Sequence, residues 1–165
     1  MQPLTLKSLK DSFVNTSKRE AAEAIPPFKL DEVEWEKIDV FGWTDKSNPM
    51  VAYAVIPVDG TPVGIMLRAS ATKPKKTMCA LCEDIVDLSD VRLLVAKRAG
   101  AAGRKGDTIG TLIHAGFTCN KNVRRKPNKF EGISDPEAFV AKRVTALQEH
   151  AVQFALRVLN GEELQ

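Results

Sequence analysis

Cys79-x-x-Cys82 is followed about thirty residues later by His114-x4-Cys119, and no other feature of the 165-residue chain limits its fold so strongly. A two-residue gap lets both thiolates face one ion from a tight knuckle, and a four-residue gap sets the second pair about one helical turn apart. Four donors in two such pairs predict a tetrahedral zinc site. The site would use all 3 cysteines and one of the 2 histidines, leaving His150 over. With four protein ligands the ion is closed to substrate, so the expected Zn2+ is structural: it stabilises the fold and orients loops without Lewis-acid chemistry. Taken singly, a cysteine is more often a small buried hydrophobe and a histidine a hydrogen-bonded core residue, but neither habit explains the pairing. The rival use of Cys-x-x-Cys is a redox dithiol. That motif follows a strand and opens a helix, whereas Cys82 leads into Glu83-Asp84 and an apolar run with strand character.

Three cysteines cannot all pair within one chain, which favours metal-bound thiolates in a reducing, cytoplasmic setting over a disulfide scaffold. No apolar run approaches the roughly 18 residues of a membrane span, and the N-terminus lacks the apolar core of a secretory signal. The expectation is a soluble protein without a membrane partner. The net charge of +3 hides an uneven distribution. Residues 1–70 carry 8 basic and 10 acidic side chains, residues 71–130 carry 13 and 5. The cysteine segment is the basic part, with Lys97, Arg98, Arg104, Lys105, Lys121, Arg124, Arg125, Lys126 and Lys129 in one stretch. Such a patch suits nucleic acid or an acidic protein face; a merely solvated surface is the plain alternative.

Along the chain, Leu6, Leu9 and Phe13 at helical spacing, then Ala21, Ala22 and Ala24, predict a helix over 4–24 that Pro26-Pro27 stops. Asp31 and the carboxylates after it predict a short second helix before Gly42. Trp35 and Trp43 read as core anchors. From Met50 the pattern alternates, and Asp59-Gly60 makes a hairpin turn between Val51–Ile56 and Val63–Leu67, with Pro57 and Pro62 better suited to edges. Residues 70–77 are a polar approach to the knuckle. Val86 and then Val91–Ala96, the glycine-rich loop 100–106 and Thr108–Ile113 predict a second hairpin, and Cys119 opens a short helix that ends before Pro127. Asp135-Pro136-Glu137 starts a long helix whose apolar stripe (Phe139, Val140, Val144, Leu147, Ala151, Phe154, Ala155, Val158, Leu159) packs on the sheet or on the first helix. The sum is an α+β fold: an N-terminal portion, residues 1–70, packed as one compact unit on a zinc-binding portion, residues 71–165, that ends in the long helix.

Knuckle, hairpin, then a helix supplying the last ligand is the treble-clef order. Small structural zinc sites contribute on the order of 10 kcal/mol to folding, enough to hold a hairpin that could not stand alone. The exposed product is the loop Ala99–Asp107, whose glycines allow close approach and whose Arg98, Arg104 and Lys105 bring charge. The run Met78–Cys82, then Val95-Ala-Lys-Arg-Ala-Gly-Ala-Ala-Gly-Arg-Lys-Gly-Asp-Thr-Ile-Gly-Thr111, then His114-x4-Cys119-x4-Arg124 resembles the C-terminal treble-clef domain of elongation factor G-binding proteins. These are the FusB-type fusidic-acid-resistance proteins and their chromosomal relatives, especially actinobacterial ones. The resemblance implies a non-enzymatic, ribosome-associated protein that binds elongation factor G through the zinc domain and promotes its release. It places partner contacts around Lys105 and in the basic stretch after Cys119. Two differences stand out. Residues 26–70 look partly β where the resistance proteins have a helical domain, and Ala80 occupies a position where those proteins carry an aromatic.

Two rivals remain. A treble clef with a basic loop and a basic helix can contact RNA phosphates, ribosomal RNA included, although the basic stretch lacks interleaved aromatics for base stacking. A nuclease of the ββα-metal type overlaps the fold, but the one histidine at the hairpin end is already assigned to zinc. No phosphate loop, acid–base pair or nucleophile triad is present. No catalytic residue and no small-molecule substrate is expected.

Overall fold

The computed structural model describes residues 1–72 and 76–160. Five antiparallel strands form one sheet in chain order: β1 (Phe41–Thr44), β2 (Val51–Val58), β3 (Thr61–Ala69), β4 (Val91–Lys97) and β5 (Thr108–His114). The two hairpins expected from the sequence are therefore parts of a single sheet, and the strands of both portions of the chain join at β3 and β4. The predicted strand at Val86 is instead an exposed stretch of loop. The polar approach to the knuckle lies partly outside the described residues, at 73–75.

Both faces of the sheet are covered, which is why β2 reads as a continuous apolar run. Ala52, Ala54 and Ile56 face one side with Ile65, Leu67, Leu94, Ala96, Ile109 and Ile113, and α5 (Pro136–Asn160) lies there through Leu147, Ala151, Phe154, Ala155 and Val158. The alanines let the helix come close. Val51, Tyr53 and Val55 face the other way with Phe41, Trp43 and Met66, under Leu4, Leu9 and Trp35. Pro57 and Pro62 stand opposite one another at the turn end, beyond the reach of β1 and β4, so neither proline removes a shared ladder bond. Asp135 caps α5 through Oδ1, which accepts from the N–H groups of Glu137 and Ala138.

The continuous helix expected over 4–24 is two short ones, α1 (Leu6–Asp11) and α2 (Lys18–Glu23), each opened by a capping box. Between them the chain becomes a strap along β3. Gly64 N–H donates to the Ser12 carbonyl and Val14 N–H to the Gly64 carbonyl, both at 2.9 Å. A Cβ at Gly64 would stand 2.5 Å from Ser12 Oγ, so only glycine admits the strap. Asn15 then sits between β3 and β4: its Nδ2 donates to the carbonyls of Met66 and Lys97 at 3.0 Å, and its Oδ1 accepts from Met66 N–H at 2.8 Å. The helix expected after Asp31 is a pair of 3-10 turns, Leu30–Glu32 and Trp35–Lys37, with the Trp35 indole N–H donating to the Leu30 carbonyl. No helix among the described residues is long and apolar enough to cross a membrane.

Candidate metal centre

The knuckle Cys79–Cys82 docks against the free side of β5, where Ala80 N–H donates to the Leu112 carbonyl at 2.7 Å. Two further bonds tighten it, the backbone bond from Glu83 N–H to the Cys79 carbonyl at 3.0 Å and one from Leu81 N–H to the side-chain sulfur of Cys79 at 3.4 Å. Cys119 arrives as the first residue of α4 (Cys119–Val123), after the turn that leaves β5. Within that turn Phe117 holds a left-handed φ of 52°, unusual for a bulky side chain. Packing holds it there. The Phe117 ring fills the space over Gly42, where an added Cβ would meet ring carbons.

All three cysteines are buried, and their sulfurs lie within 4.8 Å of one another. Zinc–sulfur bonds of about 2.3 Å at tetrahedral angles put sulfurs roughly 3.8 Å apart. Cys79 and Cys119 Sγ stand at 3.6 Å. Hydrogen bonding from Cys119 and then Cys82 draws the Cys79 thiol down to about 2. Cys119 lowers Cys82, but Cys79 and burial outweigh it and carry that thiol up to about 11. The Cys119 thiol is pushed far up by its hydrogen bonds to Cys79 and Cys82 and by burial. Three thiols this close and this buried oppose one another's ionisation; a divalent cation among them is what lets all three ionise. Spacing, burial and donor chemistry fit zinc.

The fourth sequence-predicted ligand is held beside this group rather than in it. Among the described residues the donor atoms within 4.8 Å of one another are the three sulfurs, without His114. His114 closes β5 at 1% exposure. Its Nδ1 lies 3.0 Å from the Ser89 carbonyl, which only accepts, so Nδ1 carries the proton and Nε2 the lone pair. That is the tautomer an Nε2 metal ligand needs. Nε2 faces the Asn122 amide at 3.3 Å. The same amide nitrogen has two other acceptors, Asp87 Oδ2 at 3.2 Å and Thr118 Oγ1 at 3.3 Å. His150, unassigned by the sequence reading, bonds through Nδ1 to the Leu81 carbonyl at 3.0 Å and so ties α5 to the knuckle.

The five basic residues expected at a partner surface divide. Arg98 pairs with Asp107 at 3.1 Å and donates to the Arg157 carbonyl, closing the end of α5. Arg124 donates to Asp39 Oδ2 at 2.6 Å, and Asp39 also accepts from Gln148. Arg125 spans Asp84 at 2.8 Å and both oxygens of Glu131 at 2.9 Å. These three guanidinium groups brace the fold. Arg104 and Lys105 are exposed, on and just after α3 (Gly100–Arg104), the single helical turn that replaces the expected open loop. Charge in a sequence does not distinguish braces from contacts.

Sequence reasoning also passed over the acids that the arginines require. Asp84, 1% exposed, accepts from Arg125 and, at 2.6 Å, from Arg143 of α5. Its place two residues after Cys82 is the only local signal. Asp87 binds the Ser89 N–H and hydroxyl through Oδ1, at 3.2 and 2.6 Å. That hydroxyl, with help from Asn122, holds the Asp87 carboxyl below its ordinary range against the effect of burial.

A family model described as the FBP C-terminal treble-clef zinc-finger matches residues 8–158. No curated protein matches the chain. Among solved structures, the fusidic acid resistance protein FusC is similar at 24% identity and a TM-score of 0.45, over 59% of this chain and 45% of that one. The chain thus spans less than half the length of FusC. The match over nearly all of the described residues agrees with a buried cysteine trio set on a knuckle, a β-hairpin and the helix after it: the chain belongs to the FBP C-terminal treble-clef zinc-finger family.

Proposed function

We propose that the chain is a non-enzymatic, zinc-stabilised translation protein that binds elongation factor G and promotes its release from the ribosome. The observation that carries this reading is the convergence of three buried sulfurs within 4.8 Å beside the β4–β5 hairpin. Cys79, Cys82 and Cys119 hold the ion with His114 as the fourth ligand, and the ion fixes the hairpin that carries Arg104 and Lys105. Zinc here supplies fold energy and no chemistry at a substrate.

Apolar surface beside the site supports a protein partner. Phe130 is 87% exposed, and Ile85 and Val86 are also exposed. The loops bearing them are joined by the Asp84–Arg125 pair. Solvated apolar side chains of this size at a loop tip suit a protein interface, where aromatic anchors carry most of the binding energy. The exposed Lys121, Lys126 and Lys129 favour the second reading, a treble-clef module on ribosomal RNA.

The test is a calorimetric titration of zinc-loaded protein into purified elongation factor G at near-physiological salt, with native mass to count zinc. One-to-one binding that the double substitution Arg104→Glu, Lys105→Glu weakens without unfolding is expected. No binding with zinc intact, and steeply salt-dependent binding to ribosomal RNA, would transfer the assignment to the second reading.

A further inference from the structure

A histidine that ligates zinc through Nε2 must be fixed in its tautomer and its ring plane by whatever holds the other nitrogen. Around His114 both jobs converge on one carboxylate. Asp87 Oδ1 accepts from the Ser89 N–H and hydroxyl, and so shapes the turn that presents the Ser89 carbonyl to His114 Nδ1. Asp87 Oδ2 accepts from the Asn122 amide at 3.2 Å and lies 3.8 Å from Nδ1 itself. The backbone N–H of Asp87 donates to Asp84 Oδ2 at 2.9 Å, which joins the arrangement to the chain just after Cys82.

Asn122 is the second arm. Its amide nitrogen has two protons and three acceptors within 3.3 Å: Asp87 Oδ2, Thr118 Oγ1 and His114 Nε2. With both protons given to Asp87 and Thr118, no donor is stranded and the Nε2 lone pair is available to a cation. The orientation of the amide follows from its neighbours, since an oxygen in that place would face a carboxylate. One acid thus sets the tautomer through the Ser89 carbonyl at Nδ1 and, by drawing an Asn122 proton to itself, helps leave the Nε2 lone pair unengaged.

We propose that Asp87 is the positioning residue of the metal centre, acting through Ser89 and Asn122 to hold His114 ready for zinc. The inference rests on the reading of His114 as the fourth ligand. Loss of an outer-shell partner of this kind typically lowers metal affinity about 10- to 100-fold.

Zinc affinity, by competition with a chromophoric chelator, and the visible spectrum of the cobalt-substituted protein are measured for Asp87→Ala, Asp87→Asn, His114→Ala and the double variant Asp87→Ala, His114→Ala. Asp87→Asn preserves shape in case the alanine variant fails to fold. Both Asp87 variants are expected to bind zinc about 10- to 100-fold more weakly and to alter the cobalt ligand-field bands. In the His114→Ala background the effect of Asp87→Ala should vanish, because the acid no longer has a ring to position. A loss that persists in that background marks Asp87 as merely structural and overturns the proposal, as does wild-type affinity with an unchanged cobalt spectrum. His114→Ala that leaves affinity and spectrum unchanged overturns the underlying ligand reading instead.

Discussion

Replacing Asp84 with asparagine should be the most informative single-atom change outside the cysteines. Asp84 Oδ1 accepts from Arg125 at 2.8 Å and from Arg143 at 2.6 Å, while Oδ2 accepts from the Asp87 N–H at 2.9 Å. An amide cannot meet all three. With its oxygen toward the guanidinium groups, its nitrogen confronts a backbone donor; turned over, it opposes two cations. Removing one partner of a buried ion pair costs about 3–5 kcal/mol, because the other charge remains buried. Arg125 keeps both oxygens of Glu131, and Arg143 keeps the face of Phe139 at 5.3 Å, which places the loss at the lower end. At about 3 kcal/mol, and about 2–4 °C per kcal/mol for a domain of this size, the midpoint should fall by about 6–12 °C. Thermal unfolding followed by circular dichroism in fixed excess zinc measures it, with metal content determined in parallel because zinc shifts the midpoint by mass action. Arg143→Met gives the internal comparison. It leaves Asp84 paired with Arg125 and substitutes apolar packing, so its effect should be smaller. A fall of less than about 3 °C for Asp84→Asn, against the range expected for a buried pair, would refute the argument. So would a larger effect of Arg143→Met.

Gly42→Ala places a Cβ among the Phe117 ring carbons, so the turn between His114 and Cys119 must shift; overpacking of this kind costs about 1–3 kcal/mol. Weaker zinc binding is expected by chelator competition, and wild-type affinity would show that the ring is not seated there. Hydrogen bonds to Cys79 and Cys82, then burial, raise the Cys119 thiol, and Cys79 and burial together outweigh the lowering effect of Cys119 on Cys82, so zinc must displace protons that these sulfurs hold at neutral pH. Apparent affinity should therefore rise with pH, about tenfold per unit for each proton released, and a flat profile between roughly pH 6 and 8 would exclude proton-coupled thiolate binding. Leu147, fully buried where α5 meets the sheet, should cost about 2–5 kcal/mol as alanine in urea unfolding, with little change in the slope.

The sequence announced the elements whose signals are local. Cys-x-x-Cys set the knuckle, Asp135-Pro136 set the start of α5, and Asp59-Gly60 set the turn between β2 and β3. The helix expected over 4–24 broke because Ser17 and Glu20, a capping box, outweigh the weak periodicity across Phe13. Gly64 and the strap beside it met only after folding. Neither carries a local sign. The arginines show the same limit. Arg124 and Arg125 resemble a contact surface until Asp39, 85 residues away, and Asp84, 41 away, arrive beside them. His114 was legible as a candidate ligand from its four-residue spacing to Cys119, and the fold sets it beside the three sulfurs rather than among them. Asp87, Ser89 and Asn122 around it were not, since one loop and one helix turn bring them together.

Asn15 has a bearing on how the molecule opens. The β3–β4 ladder comprises Leu67↔Ala96, Arg68↔Val95 and Ala69↔Leu94, whereas β2–β3 and β4–β5 are paired along nearly their whole lengths. Where the next pair would form, the Asn15 side chain stands in for backbone. The sheet is thus two strongly paired cooperative units sewn along a short line, and partial unfolding should part them there before either unravels. In native-state hydrogen exchange the Met66 amide, whose acceptor is a side chain, should exchange by this subglobal opening, ahead of Tyr53 and Ile65 in the meander. Asn15→Ala should accelerate it selectively. The compliance of the molecule lies at this line, with β4, β5 and the cysteine trio moving as one piece on the other side.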